Sequence, residues 1–401
     1  MTPTVPRLVR GAPMLCQTES MTPSTVLVAH PGSELYGSDR VLLDSVIGLV
    51  HAGQRVVVTL PEGGPLRDAL REAGAEVVVA PAFVLRKRLM RPSGWWELVR
   101  TGWIGAGAAW ALLGRTRPTA LYVSTITLPL WPLLGRLRGV PVVLHVHEGE
   151  ASAGRLTKAV LYAPALAARR ILVNSAFSSA VMTSTYPRLG ARAEIVPNAV
   201  PGPPSPSAPR EAISDGLRVL FVGRLSPRKG ADLAVEAVRL LDERGIRSTL
   251  DIVGSTFEGY EPYEESLRNE IEAAGLGGRV TLHGFRSDIW GFLDRADVLV
   301  VPSRLDEPFG NTAVEGILAS RPVIASDTSG LREATDGIPT AWRVTPDSAS
   351  AIADALVDLA ARWPEVRSQV ETSRGIAADR HSPQRYQTRV AELVTSPSGR
   401  R

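Results

Sequence analysis

Two glutamates, Glu307 and Glu315, stand eight positions apart in RLDEPFGNTAVEG (304–316), on either side of a Phe-Gly-Asn-Thr that reads as a turn entering a helix. An ionised carboxylate accepts strongly from paired hydroxyls, so this pair suits the diols of a ribose and of a sugar ring. Between them the backbone N–H groups of Gly310, Asn311 and Thr312 would open the helix and favour a negative ligand, with Asn311 or Thr312 as the cap. Taken singly, Glu307 is equally a loop charge and Glu315 a surface helix residue.

The cations for such a ligand come earlier. VGRLSPRKG (222–230) sets Arg224 and Lys229 around a Ser-Pro turn, behind Gly223 and ahead of the helical run ADLAVEAVRLLDERG. Two cations at a strand-to-helix junction suit a diphosphate. A solvated basic turn is the plainer reading. Against it, only three of the chain's 45 basic residues are lysines, so a lysine kept here suggests the need for a compact point charge.

The first half offers two further candidates. PGSELYGSDRVLL (31–43) places Gly37, Ser38 and Asp39 ahead of an amphipathic helix, where glycine lets the backbone approach a phosphate or an acceptor; otherwise it is a simple turn. VPVVLHV (140–146) leads into His147 and Glu148, and period-two alternation sends His145 and His147 to one face. A structural histidine is the alternative there. A metal set of His145, His147 and Glu148 is disfavoured because the chain has no Asp-x-Asp pair, so no metal and no other cofactor is expected.

These residues need a scaffold that delivers them to one place. Short β-branched runs alternate with helical patterns throughout: TVLVAH, RVVVTL, EVVVA, ALYVS, VPVVLHV, RILVNS and AEIVPN in the first half, then LRVLFVG, STLDIVG, RVTLHG, DVLVVPS and RPVIASD. That alternation predicts an α/β chain of parallel βαβ units. PGPPSPSAPREAISDG (201–216) cannot build a core and reads as a linker. The expected organisation is a tail over 1–23, one doubly wound domain over 24–200, the linker, a second such domain over 217–380, and a final helix and tail over 381–401 that cross back to the first domain. Ligands in such sheets bind beyond the carboxyl ends of the strands, where the candidate residues lie.

Composition agrees with a globular protein of two domains. The 401 residues are 44% hydrophobic and 21% charged, enough for two cores. The lone Cys16 allows no disulfide framework and fits a reducing compartment. The first twenty residues lack a secretory apolar core, and no run of about 18 apolar residues is long enough to span a membrane. The net charge of +4 is concentrated in Arg86, Lys87, Arg88, Arg91, Arg100, Arg115 and Arg117, against Glu97 alone in residues 83–117. So local a basic patch argues against nucleic acid as a partner.

VGRLSPRKG together with EPFGNTAVE, a Glu-x7-Glu spacing, resembles the retaining glycosyltransferases of family 4 over about residues 24–395. The resemblance implies the GT-B fold of two Rossmann-like domains, a nucleotide diphosphate sugar as donor, and a glycan or lipid-linked acceptor in polysaccharide or glycolipid assembly. It gives Arg224 and Lys229 the diphosphate, Glu307 the sugar hydroxyls, Glu315 the ribose and His147 a contact to the donor sugar. Gly37, Ser38, Asp39 and Arg40 match a glycine-rich loop in which Tyr36 replaces the family's first glycine, and Asn198 falls at the domain junction. A nucleotide-sugar epimerase and a silent membrane-associated nucleotide-sugar-binding module are the rival readings.

One more segment has a function of its own to suggest. FVLRKRLMRPSGWWELVRTGWIGAGAAWALL (83–113) holds Trp95, Trp96, Trp103 and Trp110, half of the eight tryptophans, beside its basic flank. It reads as a surface for an anionic membrane, which would make the enzyme cytoplasmic or peripheral on the inner face, or else as a core helix with buried tryptophans.

Overall fold

The computed structural model describes residues 24–35, 37–85, 95–256 and 259–396. The N-terminal tail, Tyr36 and the basic residues Arg86, Lys87, Arg88 and Arg91 lie outside them.

The first half forms strands β1 (Thr25–Ala29), β2 (Arg55–Leu60), β3 (Glu76–Val79), β4 (Ala120–Val123), β5 (Val142–Val146), β6 (Arg170–Val173) and β7 (Ala193–Ile195). They alternate with helices α1 (Gly37–His51), α2 (Pro65–Glu72), α3 (Trp95–Thr116), α4 (Leu130–Leu137), α5 (Arg155–Tyr162) and α6 (Ala176–Thr185). The second half has β8 (Leu217–Val222), β9 (Ser248–Val253), β10 (Val280–Leu282), β11 (Val298–Val301), β12 (Val323–Ser326) and β13 (Ala341–Val344). Its helices are α7 (Ala231–Glu243), α8 (Glu261–Ala273), α9 (Trp290–Arg295), α10 (Asn311–Leu318), α11 (Ser329–Ala334), α12 (Ala349–Ala361), α13 (Trp363–Arg380) and α14 (Pro383–Thr395).

The strands pair in the order β3-β2-β1-β4-β5-β6-β7 and β10-β9-β8-β11-β12-β13, two Rossmann-like sheets of the GT-B kind, parallel in every recorded pair. Helices cover both faces, which is why β4 and β11 are continuous apolar runs rather than alternating ones. Strand order reverses between β1 and β4 and again between β8 and β11, so each sheet has its crevice there. The twelve expected strands are present. The thirteenth, β13, went unread because Ala-Trp-Arg-Val is short, half-exposed and at a sheet edge, with an arginine interrupting its apolar pattern.

α14 leaves the second half and packs on α1 of the first, where Tyr386, Val390, Leu393 and Val394 join the core of Val26, Val46 and Leu49. A Cβ on Gly48 would lie 2.4 Å from the Gln387 carbonyl oxygen, so the contact needs glycine. The Tyr386 hydroxyl is 2.8 Å from Ser45 Oγ, Ser45 Oγ is 3.2 Å from the Tyr122 hydroxyl, and that hydroxyl is 2.6 Å from His145 Nδ1. This buried polar chain ties α14 to the strand that carries the cleft histidines.

The 201–216 segment has no helix or strand and lies along the second domain. Arg210 clamps the buried Asp297 and Asp215 with its guanidinium, while its carbonyl accepts from Trp363 Nε1 at 3.1 Å. Among the described residues no helix is long and apolar enough to cross a membrane.

Candidate active site

A cleft of about 380 Å³ opens between the two sheets, lined from the second domain by Gly223, Arg224, Arg228, Lys229, Glu307, Gly310, Asn311, Thr312 and Glu315 and from the first by Gly37, Ser38, Arg40, His147 and Asn198. The loops after β8 and β11 flank the crevice of the second sheet, and α10 starts in it. Its cap is Gly310, in a left-handed conformation (φ 100°), and not Asn311 or Thr312, which occupy the first turn instead. The left-handed cap lets the chain turn sharply from Glu307 into the helix, so the free N–H groups of that turn lie at the wall of the cleft.

Glu307 is the centre of a charge cluster. Its Oε2 lies 2.6 Å from Lys229 Nζ, 3.2 Å from Arg228 Nη1 and 3.2 Å from Ser303 Oγ. Its backbone is pinned as well, with N–H donating to Ser329 Oγ at 2.9 Å and the carbonyl accepting from Gly330 N at 2.9 Å. Burial alone would raise its pKa, but Lys229 and Arg228 outweigh burial and hold the carboxyl below its ordinary value. Arg228, an inner member of the cluster, was missed by the sequence reading, which took the first and last cations of the motif and passed over the one between.

Glu315 differs. Among the described residues no cation lies within hydrogen-bonding distance of it, Arg40 Nη1 being 3.9 Å away, and burial pushes its pKa up to about 7, with Arg40 and Lys229 offsetting only part. Two carboxylates eight residues apart are thereby set to different protonation behaviour.

From the first domain, His147 reaches the cleft while His145 stays in the core with no exposed surface; their rings lie 3.9 Å apart. Burial, aided by nearby His30 and opposed by Asn198, pushes His147 down to about 3, so it is neutral at ordinary pH. His147 Nδ1 and Asn198 Oδ1 are buried and, among the described residues, make no hydrogen bond of normal geometry. Ser38 lines the cleft. Asp39 does not, because its carboxylate accepts from His30 Nε2 at 2.8 Å, and His30 Nδ1 lies 2.7 Å from Ser124 Oγ. Glu148 likewise turns inward to Thr125 and to the His147 N–H. Among the described residues no group of three or more His, Cys, Asp or Glu side chains is arranged to hold a metal ion.

The cleft is bridged at several points. Arg40 Nη2 donates to the Ser287 carbonyl at 2.9 Å, Asn198 Nδ2 to Asn311 Oδ1 at 3.1 Å, and Ser175 Oγ to the Pro308 carbonyl at 2.6 Å. Glu333 of α11 accepts from the backbone N–H groups of Ala176 and Phe177 at 2.8 and 2.7 Å, capping α6 of the other domain.

Residues 36–201 match the family described as Glycosyltransferase Family 4, and residues 208–396 match Glycosyl transferases group 1. The chain belongs to the GT-B glycosyltransferases. Among curated relatives, this GT-B chain is 30% identical over 177 residues to the amylovoran biosynthesis glycosyltransferase AmsK of Erwinia amylovora, covering 41% of this chain and 42% of the relative. It is 31% identical over 180 residues to the alpha-D-kanosaminyltransferase of Streptomyces kanamyceticus, covering 43% and 44%. The chain thus aligns with less than half the length of these two relatives. Among solved structures, Anabaena Alr3699/HepE in complex with UDP-glucose superposes with a TM-score of 0.77 at 20% identity, over 93% of this chain and 99% of that one. At that identity the likeness is one of fold.

Proposed function

We propose that this chain transfers a sugar from a nucleoside diphosphate sugar to an acceptor hydroxyl, with retention of anomeric configuration and without a metal ion, in the assembly of a polysaccharide, glycan or glycolipid. The observation that carries the reading is the pairing of the Arg228–Lys229–Glu307 cluster with Glu315 at the two ends of one helix entry. Arg224, Lys229 and the first N–H groups of α10 would face the diphosphate, and Glu315 the ribose. Glu307 would face the hydroxyls of the transferred sugar, with the buried His147 and Asn198 atoms on its other side.

In the reaction, the bond from the anomeric carbon to the phosphate oxygen breaks as the acceptor oxygen bonds to that carbon from the same face, and the acceptor's proton passes to the departing phosphate. Lys229 and Arg224 stabilise the charge that gathers on the phosphate, the part a divalent cation plays elsewhere. Closure of the two domains excludes water and so limits hydrolysis of the donor.

HepE is described with UDP and with UDP-glucose, and this places uridine diphosphate sugars first on a donor panel. The comparisons support neither the epimerase nor the silent module. The test is turnover of a nucleotide-sugar panel with and without added acceptor glycans, repeated in EDTA. Release of nucleoside diphosphate that depends on acceptor and persists in EDTA supports the reading. Conversion of the sugar without acceptor, or no turnover of any donor that binds, overturns it.

A further inference from the structure

α3 is amphipathic the wrong way round for a core helix. Its buried side is Gly105, Ala109, Leu112 and Leu113, and a Cβ on Gly105 would lie 2.6 Å from the Phe83 backbone nitrogen. The large side chains point outward: Trp95, Trp96, Val99, Trp103, Ile104 and Trp110 are all exposed, Trp96 at 79% and Trp103 at 78%. At about 100° per residue, Trp96, Val99, Trp103 and Trp110 share a sector of about 60° and extend about 21 Å along the helix. The core-helix reading of these tryptophans is therefore corrected. Small residues fill the interface and the aromatics face away from it.

The apolar face continues onto the neighbours. α4 packs beside α3 and presents Leu133 and Leu137, the 3-10 turn Ala163–Ala167 presents Leu166, and α5 presents Leu156 and Val160. Exposed apolar area of this extent is rare on a monomer with no partner for it. The charge around it is predominantly positive. α3, α4 and α5 carry Glu97 as their one carboxylate, and between residues 98 and 193 the acids are Glu148 and Glu150, against Arg100, Arg115, Arg117, Arg136, Arg138, Arg155, Lys158, Arg169, Arg170, Arg188 and Arg192. Arg138 lies 3.7 Å over the Trp110 ring, so the apolar and cationic groups interleave.

We propose that this face of α3, α4 and α5 docks the protein on an anionic lipid surface. Exposed tryptophans suit the headgroup layer, arginines its phosphates, and the near absence of carboxylates removes repulsion. The face also has a direction. α3 hands over to β4 within three residues, so its far end lies at the amino ends of the strands and Trp95 and Trp96 lie toward the cleft. Docking stands independently of the transferase reading; if both hold, the cleft opens close to the headgroups.

The full chain is floated with vesicles of zwitterionic lipid alone or mixed with phosphatidylglycerol. It should float with the anionic vesicles at low salt and much less at about 1 M salt, where charges are screened beyond about 3 Å. Trp96→Ser with Trp103→Ser should lose binding at least about tenfold and lose the blue shift of tryptophan emission on lipid addition. Arg136→Gln with Arg155→Gln should lose about fivefold per charge on anionic vesicles and nothing on neutral ones. All four side chains are exposed, and circular dichroism confirms that each variant is folded. Wild type that fails to float, a tryptophan variant that floats like wild type, or a stable dimer that shields these tryptophans and ignores lipid overturns the proposal.

Discussion

Lys229 Nζ and Glu307 Oε2 lie 2.6 Å apart although 78 positions separate them in the chain, and both side chains are mostly buried. The proposed diphosphate must therefore share Lys229 with Glu307 rather than meet a cation free in water. Breaking one partner of such a pair leaves the other uncompensated.

Lys229→Ala should lower kcat by roughly 10²–10³ through loss of charge at the leaving phosphate. It should also let burial dominate at Glu307, so the acidic limb of the pH–rate profile moves upward. Wild-type turnover in this variant, measured by release of nucleoside diphosphate, would remove Lys229 from the mechanism.

The two glutamates should separate by ligand. Calorimetry with Glu315→Ala should show weakened binding of the free nucleoside diphosphate. Glu307→Ala should bind that ligand nearly as wild type and bind the intact nucleotide sugar less well. Parallel losses in both variants would contradict the assignment of ribose to one and sugar to the other.

Glu315 makes stability and binding respond oppositely to pH. Its folded pKa of about 7 lies above its ordinary 4.5, so across that window the folded chain keeps a proton that the unfolded chain has released, and stability falls as pH rises. The full effect is on the order of 3 kcal/mol. Glu315→Gln should match wild type near the acid end of the window and exceed it in thermal stability at pH 8. Nucleoside diphosphate affinity should rise through about pH 7 in wild type and show no such step in Glu315→Gln.

Gly310→Ala should damage both fold and site. At φ 100° an added Cβ is strained and would meet Leu331 Cδ2 at 2.8 Å. A stability loss of about 1–3 kcal/mol and weaker nucleotide binding are expected by denaturant titration and calorimetry.

Glu333→Ala removes the carboxylate that caps α6 across the cleft. Closure should be weakened by about 1–2 kcal/mol, seen as a larger radius of gyration in solution scattering and a raised donor KM. An unchanged scattering profile would show that Ser175, Arg40 and Asn198 suffice to hold the domains together.

Much of this was legible in the sequence because parallel sheets write themselves as apolar runs, and because the loops beyond their carboxyl ends line the cleft. Gly223, Arg224, Lys229, Glu307 and Glu315 were found that way. What could not be read is partner choice over long separations. Nothing local to Asp39 says that His30 claims it, and nothing in Glu333 foretells a helix of the other domain. α3 stayed open between two readings for a related reason: hydrophobic periodicity reports that a helix has an apolar stripe, and only the Gly105 contact with Phe83 tells which side faces in.

The seat of α14 on α1 has a consequence for the order of synthesis. Tyr386, Val390 and Val394 belong to the core around Val26 and Leu49, yet they leave the ribosome nearly two hundred residues after β7. At about 5–20 residues per second, the amino-terminal sheet waits roughly 10–40 s with one flank of α1 bare. Most of the second domain is made during that interval. A nascent chain released before Tyr386 would thus carry an amino-terminal sheet still lacking the helix that covers α1.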